Sequence, residues 1–544
     1  MSREFSTPSL RFSSGCATYR SAPPASESAM PSKRKPTKRK LPARTRARPT
    51  SKVTSRKVPA AKKSAARKKI VTKAVKTKAR SAAKVAAKKK AAPRRIAAAT
   101  ATPAALLLDD LIARARKAGA DAADAVFVDS AALTVAQRLG KPEKLERAES
   151  RDLGLRVFIG KRQAIVSTTD TSPPMLSELV ERAVAMARTV PEDPYCGLAN
   201  AGELARKLPT IDLCDSGEPT TDQLKERARA AEESALAVKG VTNSEGADAS
   251  WSRSTITLVA SNGFHGSYAR SHYGVGTAVL AGEGTGMERD YDYATAVYGR
   301  DLEDAGAVGK RAGERAVKRL NGRKAATAKV PIVYDPRVSR GLLAHLASAI
   351  NGASIARGTS FLKDKLGQRI FAADITITDD PHRPRGLNSK PFDGEGIANR
   401  KRAIVENGVL TTWVLDLRSA RQLGLKSTGH AARGTSSPPS PSLTNLSMAA
   451  GTMTPAEMIG GIFSGFYVTE LMGMGVNGVT GDYSRGAAGF WIEHGEISYP
   501  VSEVTIAGNL NDMFLNLTPA DDLVFRYGTD APTIRVDGMT VAGT

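Results

Sequence analysis

The pattern of apolar and polar positions divides the chain into stretches of different character. Thr102-Pro103 is a cap followed by a first-turn proline, Leu106, Leu107, Ile112 and Ala115 recur at helical spacing, and Gly119 ends the run. Residues 125–128 and 133–138 read as strands, and 149–170 alternate polar and apolar around Gly160-Lys161, the mark of a hairpin. Ser172-Pro173-Pro174 then opens a helix with Met175, Leu176, Leu179, Val180, Ala183 and Ala187 on one face. An acid-rich linker containing Pro and Gly covers about 190–220. Beyond it the plan repeats, with an amphipathic helix over 221–238, strand-like pieces at 254–260, 266–271, 274–281 and 293–298, and a closing helix over 302–320.

After residue 330 strands and glycine turns take over, for example 402–405, 409–415, 489–493 and 497–504. Two helices interrupt them, a short one over 455–464 and one carrying His345. Residues 330–334 form an apolar, β-branched run that reads as a buried strand, and Asp335-Pro336 supplies a cap and a first-turn proline. Leu342, Leu343, Leu346, Ala347 and Ile350 give the following helix one apolar face. The expected fold is α+β. Two helix-flanked antiparallel-sheet units, 101–190 and 215–325, precede a large, mostly-β C-terminal domain, 330–544.

Composition changes this picture at the N-terminus. The formal net charge is +26, but residues 1–100 hold 30 Lys and Arg against 2 Asp and Glu, which leaves 50 basic and 52 acidic side chains for the rest. The body is therefore near neutral and carries a basic tail. Residues 1–29 contain no lysine, and the Lys/Ala/Pro pattern starts at Met30, where translation is expected to begin. Residues 30–100 have too few large apolar side chains to offset chain entropy and are expected to be disordered. Such a tail would attract nucleic acid through phosphate neutralisation, or be a solvated extension. Arg- and Ser-rich, acid-poor sequence also suits a transit peptide, from which lysine dominance and length set this tail apart. Three cysteines, Cys16, Cys196 and Cys214, without a CxxC pair, exclude a disulfide framework and a thiolate zinc cluster and fit a reducing compartment. No run of 18 apolar residues predicts a membrane-spanning helix.

Motifs with possible chemistry are few. Gly473-Met-Gly475-Val-Asn-Gly478 matches GxGxxG, but the glycine-broken run over 479–489 cannot form the helix that a dinucleotide site requires, and Gly282-Glu-Gly284-Thr-Gly286 fails in the same way. Glu288, Asp290 and Asp292 alternate on one strand, so a cation site or, more simply, a solvated face is expected. The histidines are His265, His272, His345, His382, His430 and His494, with His494 in a turn between two strands. A zinc peptidase helix needs two imidazoles and a carboxylate that deprotonates the bound water. His345 stands alone on its helix.

Five stretches carry a resemblance in the right order: 149–170, 258–274, 281–293, 392–416 (FDGEGIANRKRAIVENGVLTTWVLD) and 475–514. On these the chain, from about Leu106 to Thr544, resembles the TldD/PmbA family, whose two branches are expected to form a heterodimer that hydrolyses peptides in the bacterial cytosol. The resemblance implies HExxxH and a C-terminal cysteine as zinc ligands in the TldD branch. Here the helix motif falls on His345, Leu346 and Ile350, and no cysteine occurs after residue 214. This departure places the chain in the PmbA (TldE) branch, without a metal site or catalytic residues of its own. The expected partner is a TldD-like subunit that supplies zinc, with this chain completing a chamber for unfolded or short peptides in the cytoplasm. His345, Arg357, Thr359, Ser360 and Gln368 are the expected substrate or partner contacts. Two rival readings are an independent hydrolase, which predicts zinc and activity in the isolated chain, and a nucleoid-associated protein binding DNA through residues 30–100.

Overall fold

A computed structural model describes residues 102–543. The basic tail, the start at Met30 and the nucleic-acid contact assigned to 30–100 lie outside the described residues. The first layer comprises α1 (Pro103–Lys117), β1 (Ala122–Arg138), β2 (Lys141–Ile159), β3 (Arg162–Thr168), α2 (Pro173–Thr189), α3 (Thr221–Leu236), β4 (Val241–Ala260), β5 (His265–Ala281), β6 (Glu288–Ala296) and α4 (Ala305–Lys318). Side-chain caps start α1, α3 and α4, and first-turn prolines start α1 and α2. Thr102 accepts from the Ala105 N–H at 3.3 Å, and Thr220 and Gln223 close a reciprocal capping box.

Both helix-flanked antiparallel units are present, and their strands are continuous in one sheet of order β3-β2-β1-β4-β5-β6. The join is β1 with β4, registered from Asp124↔Ala260 to Gln137↔Ala247. Residues 125–128 and 133–138 are one strand for the same reason. Pairing on both sides carries the backbone through the polar Asp129-Ser130 step. The Gly160-Lys161 turn closes the β2–β3 hairpin, with Ile159 opposite Arg162 and Gly160 at φ +57°. The buried face of α2 (Leu176, Leu179, Val180, Ala183 and Ala187) packs with Leu108, Leu111, Leu155 and Val157.

The C-terminal region begins with β7 (Ala328–Tyr334), α5 (Pro336–Ala349), α6 (Gly352–Arg357), β8 (Ile377–Asp379), β9 (Arg402–Glu406) and β10 (Val409–Leu410). It continues through α7 (Leu417–Gln422), β11 (Ala431–Ala432), β12 (Ser440–Pro441), β13 (Leu446–Met448), α8 (Pro455–Gly460) and β14 (Ser464–Met472). β15 (Asp482–Glu493), β16 (Glu496–Asn509), α9 (Leu510–Leu515), β17 (Leu517–Pro519), β18 (Thr529–Asp530) and β19 (Ile534–Ala542) complete it. The strand expected over 409–415 ends at Leu410; Thr411 still donates its N–H to Ile404 of β9 and its hydroxyl to the Ala403 and Ile404 carbonyls.

The main C-terminal sheet has the order β16-β15-β14-β7-β19-β17. β7 lies in its middle, parallel to β14 (Ile332↔Phe466) and antiparallel to β19 (Ile332↔Val536), which explains its unbroken apolar run. The Gly473–Gly478 stretch joins antiparallel β14 and β15, so no helix N-terminus opens from it. Among the described residues no helix is long and apolar enough to cross a membrane.

Candidate functional site

α5 leaves the central strand β7 at a cap that is doubly held. Asp335 accepts from the Arg337 N–H at 2.9 Å and from the Tyr467 hydroxyl at 2.7 Å. The buried Ser339 hydroxyl donates to the Pro532 carbonyl at 2.8 Å. At the other end the Ser360 hydroxyl donates to the Ala349 carbonyl at 2.6 Å, satisfying one of the groups that a helix terminus leaves open. α5 is thus fixed in rotation, and its sequence decides which residues face outward.

His345 is half-buried, its ring 5.8 Å from that of Tyr483 and nearly perpendicular to it. Burial, reinforced by the positive charge of Arg485, pushes its pKa down to about 4, so the ring is neutral at physiological pH. Leu346 and Ile350 face the other way. Both are fully buried, in the core formed by Ile332, Leu342, Phe466 and Val468. The positions that would offer a carboxylate and a second imidazole therefore hold hydrocarbon, and these residues do not fit a zinc ion. Among the described residues no group of three or more His, Cys, Asp or Glu side chains is arranged to hold a metal.

The remaining expected contacts separate. Arg357 ends α6 on the surface, Thr359 is exposed, and Gln368 is exposed with its amide donating to the Asp364 carbonyl at 2.8 Å. Ser360 is buried, with its hydroxyl also accepting from the Leu362 N–H, so its polar atoms serve the fold. Three of the other histidines are held by side-chain partners. His430 lies against Asp379 and Thr428, His382 against Asn399, and His265 against Asp109, while His494 occupies the expected turn at φ +52°.

The alternating acidic trio on β6 is neither a cation site nor a solvated face. Asp290 and Asp292 are buried, and arginines from α4 and α5 neutralise them. Arg337 meets Asp290 at 2.5 Å, and Arg311 and Arg315 meet Asp292 at 2.7 and 2.8 Å. The Arg337–Asp290 pair fastens the first sheet to the start of α5, and the Arg311 and Arg315 pairs hold α4 on that sheet. Beside them a cleft of about 360 Å³ runs along the outer face of α5, lined by Arg337, Arg340, Gly341, Ala344, Glu470 and Arg485.

Sequence reasoning missed a buried charge cluster that joins the two layers. Asp124 on β1 pairs with Arg156 on β2 and, at 2.6 Å, with Arg433 from the C-terminal region, all three almost wholly buried. Burial alone would raise the Asp124 carboxyl, but the two guanidiniums outweigh it and hold it below its ordinary value. Nearby, burial and the charge of Asp393 push Glu395 up to about 8, and burial lowers the Lys390 ammonium. Asp393 accepts from the N–H groups of Glu395, Ile397 and Ala431. The signal was present in Phe392-Asp-Gly-Glu-Gly-Ile397, two carboxylates within three residues flanked by apolar side chains, but their partners come from distant segments.

Family models match in three consecutive pieces, described as PmbA/TldA metallopeptidase domain 1 (residues 123–187), central domain (214–320) and C-terminal domain (327–543). The chain is 38% identical over 425 residues to metalloprotease PmbA of Escherichia coli O157:H7, covering 78% of this chain and 92% of that protein. It is equally identical over 431 residues to a metalloprotease PmbA homolog of Haemophilus influenzae, covering 79% and 94%. In fold it is similar to the crystal structure of TldE from Thermococcus kodakarensis, with a TM-score of 0.73 at 22% identity, covering 80% of this chain and 100% of that one.

Proposed function

The chain belongs to the PmbA/TldD metallopeptidase family, in its PmbA (TldE) branch, and from that premise we propose that it is the non-catalytic subunit of a cytoplasmic two-subunit peptidase. Its TldD-like partner supplies the zinc and the general base, and this chain shapes the chamber that admits unfolded or short peptides. One observation carries the reading. Where family chemistry needs a carboxylate and a second imidazole next to His345, Leu346 and Ile350 are sealed in the core. Repacking a helix held at both ends would be needed to bring either position to the surface.

His345 itself cannot act as a lone base of useful strength, because a neutral ring with a pKa of about 4 removes protons poorly at neutral pH. What it offers is an uncharged, half-buried edge against Tyr483. The test is to purify the chain with and without a TldD-like partner and to measure metal and peptidase activity in each. Activity and zinc should follow the partner. Turnover by the isolated chain with stoichiometric zinc would overturn the proposal.

A further inference from the structure

The cleft along α5 has an unbalanced charge. Of its ionic lining, Glu470 is already paired with Arg319, and Arg337 with Asp290. Arg340 and Arg485 face it without a carboxylate partner among the described residues. Arg340 stacks 4.3 Å from the Tyr527 ring centroid and donates to the Tyr293 hydroxyl at 2.9 Å. Arg485 makes one long bond, 3.4 Å, to the Met472 carbonyl. Both guanidiniums are therefore braced along their stems or faces and keep donors to spare. On the wall, the Arg337 Nε is buried with no acceptor.

Space accompanies the charge. Gly341 and Ala344 leave the outer face of α5 bare, and a Cβ added at Gly341 would meet nothing within 4 Å. A volume of about 360 Å³ falls within the usual range for a small-ligand site, roughly 300–1,000 Å³. The strand on the opposite side, β14, carries a register shift between Val468 and Glu470, a feature that re-aims neighbouring side chains.

We propose that this cleft is a carboxylate-recognition site for a peptide, in which Arg340 and Arg485 grip the carboxylate and the bare face at Gly341 and Ala344 receives the adjoining residues. The proposal rests on the peptide-handling role given above and adds a substrate class to it, peptides that present a carboxylate at this wall. Guanidinium forks match a carboxylate in geometry as well as in charge. The carboxylate comes from a free C-terminus or from an acidic side chain.

The experiment uses the full chain at physiological salt and three fluorescein-labelled pentapeptides in an anisotropy titration. One has a free C-terminus, one is its C-terminal amide, and one is an amide with a penultimate Glu. The basic N-terminal region is common to wild type and variants, so differences between them report on the cleft. At least one of the two carboxylate-bearing peptides, the free acid or the Glu-containing amide, should bind at least about tenfold tighter than the plain amide. Arg485→Gln should reduce that preference below about threefold. Gly341→Leu fills the cleft from a helical position where Leu is favoured over Gly, and it should abolish the preference without unfolding the chain. Tight binding of the Glu-containing amide assigns the carboxylate to a side chain, and weak binding assigns it to the C-terminus. Binding of both carboxylate-bearing peptides no tighter than the plain amide, a preference that survives both substitutions, or no binding of any peptide would each overturn the site. In those cases partner-dependent peptidase activity, measured separately, would still decide the subunit role.

Discussion

Replacing Leu346 by Glu restores on paper one side chain of a zinc-peptidase helix, and the structure predicts that it destroys the fold instead. Leu346 is fully buried with Ile332, Leu342, Phe466 and Val468. Losing its burial costs about 2–3 kcal/mol. The arriving carboxyl has no partner in that cluster and must stay neutral. Holding a Glu protonated at pH 7.5, about three units above its ordinary value, costs about 4 kcal/mol more. The total of about 6–7 kcal/mol is comparable with the whole stability of a typical domain, about 5–15 kcal/mol. The assay is urea unfolding followed by circular dichroism, with zinc content measured after incubation with one equivalent. Leu346→Met is the control and should cost less than about 1.5 kcal/mol. The Glu is more basic in the folded chain than in the unfolded one, so the deficit should shrink as pH falls, by about 3 kcal/mol between pH 7.5 and 5. A Leu346→Glu chain that melts like wild type and binds one zinc would refute the reasoning, because position 346 would then have to reach the surface.

Three further perturbations test other parts of the structure. His345 has its pKa depressed from 6.5 to about 4, so its contribution is complete above pH 6.5 and is lost as pH falls towards 4. Wild type should therefore lose about 2–3 kcal/mol relative to His345→Gln over that window, read as the difference between two urea-midpoint profiles; parallel profiles would contradict it. Asp124→Asn leaves Arg156 and Arg433 buried without a counter-charge and should cost about 3–5 kcal/mol, measured by thermal or urea unfolding at pH 7. Gly154→Ala places a methyl 2.0 Å from the Thr435 carbonyl oxygen, where β2 meets the C-terminal region, and should destabilise by about 1–3 kcal/mol in the same assay.

Local signals carried the elements well. The cap at Asp335, the first-turn proline and the spacing of Leu342, Leu343 and Leu346 specified α5 to within a residue of its observed start. The Gly160-Lys161 hairpin and the helix after Ser172 were equally legible, since each depends on residues adjacent in sequence. Strand extent was less so. β1 looks like two pieces because its polar middle breaks the alternation, and only the flanking strands β2 and β4 carry it through. The site was legible through the family resemblance at His345, Leu346 and Ile350. Ser360 looked like a surface contact because nothing in its neighbours reveals the bond to Ala349. The cleft and the charge cluster were hidden for the same reason. Arg485 reaches α5 from β15, and Asp124 and Arg433 meet across 309 positions, distances over which no local periodicity reports.

The subunit role is tested most directly by zinc content and peptide turnover measured on the full chain alone, on a TldD-like partner alone, and on the two mixed. The predicted result is no stoichiometric zinc and no turnover for this chain, with activity appearing on mixing and the metal bound to the partner. Stoichiometric zinc and sustained turnover in the isolated chain would contradict it.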